Sequence, residues 1–159
     1  MYKEVGISSN NVPITLSIWY TERSCPTIVF LPGTMSHPLM YENFLSGLCE
    51  RGFNIIGVHY LSHGKSPKIK MNYTMEDLLY NVYDATTYGM ENYGDNIAVM
   101  GSSQGGILAA MAAGRDTRLK AVFPHNIMLT TLKETMNLTK YPAWTHRFMG
   151  LIQWGFRIG

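Results

Sequence analysis

One pentapeptide, Gly101-Ser102-Ser103-Gln104-Gly105, sets a serine between glycines in a G-x-S-x-G frame, and only Ser103 fits its central position. A serine hydroxyl there could attack a carbonyl carbon, given a base to take its proton and backbone N–H groups to hold the oxyanion. The flanking residues say how it would be held. The apolar run Asn96-Ile97-Ala98-Val99-Met100 predicts a strand ending at Gly101, and Gly105–Ala113 predicts a small-residue helix stopped at Gly114. A serine on so tight a strand-to-helix turn is lifted clear of the carboxyl end of a sheet. The turn is crowded and strained, which explains why its flanks lack a Cβ. The alternative is a structural turn serine in some other parallel α/β domain.

The remaining chemistry-bearing residues narrow the choices. No pair of carboxylates sits at a spacing that would form an acid–base dyad. No C-x-x-C metal-ligand spacing occurs, and neither a metal nor another cofactor is expected. Net charge is +2, from 13 basic and 11 acidic residues, too balanced for a nucleic-acid or membrane-surface partner. The basic cluster Lys65, Lys68 and Lys70 lies in a Pro-containing loop and reads as solvated. Cys25 and Cys49 make no disulfide framework, which favours a reducing, cytoplasmic compartment. The acidic start Met1-Tyr2-Lys3-Glu4 lacks the apolar core of a signal peptide, and no apolar run is long enough for a transmembrane segment. The sequons at Asn72 and Asn137 are then accidental.

Elements that could position Ser103 follow from periodicity. Residues 3–8 and 13–20 read as strands around the turn-rich break 9–12, an antiparallel hairpin. Residues 27–31 and 53–59 are short continuous apolar runs, as in strands buried on both faces. Between them Met40, Phe44, Leu45, Leu48 and Cys49 recur at helical spacing before the stop at Gly52. Thr74 is an N-cap with Asp77 completing a capping box, opening a helix that buries Leu78, Leu79, Val82, Ala85 and Thr86 and ends near Gly89 or Gly94. Ala121–Pro124 is a further strand. Strands alternating with helices at this spacing predict an α/β fold, a mostly parallel sheet covered on both faces. In residues 127–159 the buried-strand signal disappears. Met128, Leu132 and Met136 form one helical stripe there, and Trp144, Phe148, Leu151 and Ile152 another.

The order strand, Pro32-Gly33, helix, strand, His63-Gly64-Lys65-Ser66, helix, strand, G-x-S-x-G resembles the α/β-hydrolase superfamily, most closely its branch of monoacylglycerol lipases, lysophospholipases and serine aminopeptidase-type esterases. The resemblance implies a three-layer fold with an eight-stranded sheet, a helical cap after the sixth strand and a Ser-His-Asp triad. It implies a hydrolase core over residues 1–126 and the beginning of the cap over 127–159. Ser103 matches the nucleophile, and the backbone N–H groups of Gln104 and Thr34 match the oxyanion hole. Met35 and His37, beside that hole, are the candidate substrate-binding residues. Residues 59–66 match a structural loop often written D-x-x-G-x-G-x-S, with His59 and Ser62 in place of its Asp and first Gly.

The triad acid and histidine of such enzymes follow strands that have no counterpart here, so the sequence looks like the front part of a hydrolase ending inside the cap, with those residues beyond Gly159. Of the five histidines, His125 is the internal candidate for a substitute base, and a structural hydrogen-bonded role is its alternative. The expected activity is hydrolysis of a small acyl ester. A second expectation is a non-catalytic fragment or pseudoenzyme that, with a sheet edge left open at 121–124, self-associates, binds a partner or is poorly stable.

Overall fold

The structure, a computed structural model, describes residues 1–21, 24–69 and 73–126. The cap expected over 127–159, with its two stripes and His146, lies outside the described residues. Strands β1 (Tyr2–Ser9) and β2 (Val12–Trp19) form the expected antiparallel hairpin. Its turn puts Asn10 and Asn11 at φ 46° and 65°, a left-handed conformation that asparagine tolerates. Strands β3 (Thr27–Leu31), β4 (Asn54–His59), β5 (Ile97–Ser102) and β6 (Ala121–His125) run parallel to one another. The sheet order is β1-β2-β4-β3-β5-β6, with β2 antiparallel to β4.

Helix α1 (Glu42–Glu50) covers one face, and α2 (Met75–Tyr93) and α3 (Gln104–Ala113) cover the other. Alternation along β3 shows how the layers divide: Val29 and Leu31 pack under α2 and α3, while Ile28 and Phe30 pack under α1. The larger cluster joins Leu16, Ile18, Ile56, Val58, Leu79, Val82, Val99 and Leu108, all fully buried. The start of α2 is as the sequence predicts. The Asp77 N–H donates to Thr74 Oγ1 at 3.2 Å, and the Asp77 carboxylate accepts the Thr74 N–H at 2.7 Å. The backbone hydrogen bond from Thr74 holds the Asp77 carboxyl below its ordinary range.

One stripe is narrower than its spacing suggested. Residues Pro38–Tyr41 form a separate 3-10 turn before α1, so Met40 rotates out to 65% exposure and Phe44 remains 50% exposed, leaving Leu45 and Cys49 buried. Pro38 causes this by seating on β4, where a Cβ added to Gly57 would lie 2.5 Å from the Pro38 Cβ. Among the described residues no helix is long and apolar enough to cross a membrane.

Candidate active site

Strand β5 hands over to α3 through Ser103, whose backbone stands at φ 54°, ψ −117°. That conformation costs a residue with a Cβ on the order of 1–3 kcal/mol and persists only where the surroundings enforce it. Here they do. A Cβ on Gly101 would lie 2.0 Å from the Gly105 carbonyl oxygen, and one on Gly105 would lie 2.0 Å from that of Leu31. The Ser103 N–H donates to the His125 carbonyl at 2.9 Å, and the Ser103 carbonyl accepts from the Ile107 N–H at 3.1 Å to start α3. Ser103 is exposed at the helix N-terminus, where the unpaired N–H groups and the helix dipole favour negative charge.

The loop after β3 comes up beside this turn. A Cβ on Gly33 would sit 3.4 Å from the Ser103 Cβ, so the loop that carries Gly33 lies against the turn that carries Ser103. Thr34 is exposed, and Met35 stands at φ 58° with 77% exposure at the loop tip. Below them the Ser36 N–H and hydroxyl both donate to the Gly33 carbonyl, at 3.2 and 2.8 Å. The fully buried Tyr60 donates its hydroxyl to the Pro32 carbonyl at 3.1 Å. Burial pushes the Tyr60 phenol well above its usual pKa, so it stays a donor. Sequence reasoning missed both. Ser36 could have been read from the Gly33-Thr34-Met35-Ser36 turn, but nothing local marks Tyr60.

The histidines separate. His37 stacks on His59 with ring centroids 5.9 Å apart, over Gly64, so it is turned toward the loop after β4. The Lys65 N–H donates to His59 Nδ1 at 3.0 Å, so Nε2 carries the hydrogen and donates to Ser17 Oγ at 2.9 Å. Ser17 in turn meets the Tyr2 hydroxyl, which donates to Glu4, the carboxylate that also pairs with Lys65. His59 thus takes the structural place assigned to this loop, and Ser62 adopts φ 60° where the resembled pattern has glycine. His125 faces the α1 side together with its register partner Ser102, lining a groove of about 610 Å³ with Phe30, Tyr41, Phe44 and Phe123. Among the described residues, no side chain hydrogen-bonds the Ser103 hydroxyl.

His59 makes stability pH-dependent. Burial, with the charge of His37 second, lowers its pKa from 6.5 to about 4. The unfolded chain therefore binds a proton that the folded chain refuses between those values. The contribution is complete above pH 6.5 and is lost as pH falls toward 4. Allowing for screening, it amounts to about 2 kcal/mol. Denaturant unfolding at pH 7.5 and 4.5 is expected to show that difference, and His59→Gln to remove most of it. Equal slopes in both proteins would refute it.

A family model described as alpha/beta hydrolase fold matches residues 26–153, and the chain belongs to that family. No curated protein sequence matches it. Among solved structures, an esterase of Pyrococcus furiosus superposes with TM-score 0.74 at 19% identity, over 99% of this chain and 62% of its own. A thioesterase domain of the curacin biosynthetic pathway gives TM-score 0.72 at 19% identity, over 88% and 52%. Est1E of Butyrivibrio proteoclasticus, solved with ferulic acid bound, gives 0.70 at 20%, over 84% and 56%. At these identities the likeness is one of fold, and the chain spans about half the length of the structures it matches.

Proposed function

We propose that this chain carries the nucleophile and oxyanion hole of a serine hydrolase acting on a small carboxylic ester, lipase-like in its apolar preference and working in the cytoplasm. The observation that carries the reading is Ser103, exposed and held at φ 54°, ψ −117° against Gly33. Its Oγ attacks the ester carbonyl while a histidine takes the proton, and the N–H groups of Thr34 and Gln104 receive the oxyanion. Collapse returns that proton to the departing alcohol and leaves an acyl-serine, which water cleaves. Met35, kept exposed in a left-handed conformation that costs a methionine about 1 kcal/mol, and His37 border the acyl group. His125 is the internal candidate for the base. The test is a fluorophosphonate probe on the intact chain. Labelling that disappears in Ser103→Ala is expected, and a folded chain that takes no label overturns the reading.

A second reading, a non-catalytic scaffold, is favoured by β6. All five of its residues are exposed, Phe123 at 50%, and its outer edge is unpaired among the described residues. An apolar strand edge of this kind associates with another chain. Light scattering across a concentration series is then expected to show a mass rising above the monomer, and Phe123→Glu to weaken association about tenfold or more. A concentration-independent monomer removes this reading.

A further inference from the structure

The Thr34 N–H has no side chain of its own to aim it, yet an oxyanion donor works only if it is pre-aimed. A trans peptide supplies the means: its C=O and the following N–H point in opposite directions, so fixing one fixes the other. The carbonyl that shares a peptide plane with the Thr34 N–H is that of Gly33. That carbonyl is gripped twice from below, by the Ser36 hydroxyl at 2.8 Å and the Ser36 N–H at 3.2 Å. The preceding carbonyl, of Pro32, is gripped from the buried side by the Tyr60 hydroxyl at 3.1 Å. Two consecutive peptide planes are thereby locked from inside the fold, at a loop whose tip residues Thr34 and Met35 are exposed.

Resting on the reading of Ser103 and Thr34 above, we propose that Ser36, backed by Tyr60, is a positioning residue that orients the Thr34 N–H toward the oxyanion formed at Ser103. Ser36 is nearly buried and its hydroxyl bonds within its own turn, so it touches no substrate. It acts through the peptide plane. The two grips are independent in sequence, one from the turn itself and one from the residue after β4, which makes them separable by mutation.

The experiment has a geometric arm and a kinetic arm, both on the intact chain. The geometric arm measures the residual dipolar coupling of the Thr34 N–H in aligned, isotopically labelled protein. In Ser36→Ala and Tyr60→Phe that coupling is expected to change, while couplings in β3 and β5 hold. Ser36→Thr, which keeps the hydroxyl, is expected to restore it. The kinetic arm uses p-nitrophenyl acetate: Ser36→Ala is expected to lower kcat about tenfold, less than outright loss of a donor, with KM within twofold. An unchanged Thr34 coupling in both variants overturns the inference, whatever the activity. Hydrolysis that survives Ser103→Ala overturns the functional reading instead, and the coupling then decides only whether Ser36 holds the peptide plane. Coupling that shifts while kcat is unchanged in a Ser103-dependent enzyme also overturns the positioning role.

Discussion

Ser103→Ala is expected to cut ester hydrolysis by about 10⁴-fold or more while leaving the melting temperature unchanged or slightly raised. The rate loss follows from removing the atom that forms the covalent bond, after which only binding and oxyanion donors remain to act on water. Stability is spared because Ser103 is exposed and its hydroxyl has no partner among the described residues. Its backbone contacts, to His125 and Ile107, survive the change. His125→Asn, run beside it, locates the base. A loss approaching that of Ser103→Ala assigns the proton transfer to His125, whereas a retained rate places the base on another histidine. A Ser103→Ala protein that keeps its hydrolytic rate would mean that the elbow is only a turn.

The second large effect is structural. Gly105→Ala is expected to destabilise the fold by about 3 kcal/mol or more, because the new Cβ would meet main chain and not a side chain that could swing away. The Leu31 carbonyl oxygen would be 2.0 Å from it and that of Pro32 2.6 Å. Either α3 must withdraw from β3 or the loop carrying Thr34 must lift, so folding and catalysis fail together. The control is Gly6→Ala in β1, where nothing lies within 4 Å of the added Cβ and the change should fall within about 0.5 kcal/mol. Urea midpoints measure both. Similar midpoints for the two variants would show that the crossing of α3 over β3 is looser than the atomic positions state.

These two substitutions also mark how far the sequence could be read. The strand to Met100, the glycines and the alanine-rich run after them located the turn and singled out Ser103, since a crowded turn leaves a local signature in residue size. The capping box at Thr74 and Asp77 was legible for the same reason: its partners lie within one turn of helix. The first helix was less so. Its apolar spacing included Met40 and Phe44, but Pro38 seats on Gly57 from a distant strand and converts the first turn to 3-10 geometry, which no local pattern announces.

What the sequence by itself determined is the layered α/β architecture, the order of its elements and the position of the strained serine, because periodicity, turn chemistry and helix caps are local. Only the tertiary structure decided the rest. It brought Gly33 against Ser103 across 70 positions of chain, set Tyr60 beneath Pro32, and stacked His37 on His59. It also turned His125 to the same face as Ser102, beside a groove on the α1 side of the sheet. Such contacts depend on strand order and parallel register, which many sequence patterns share. The surroundings of Ser103 therefore combine residues the sequence could name with others, such as Ser36 and Tyr60, that only the fold revealed.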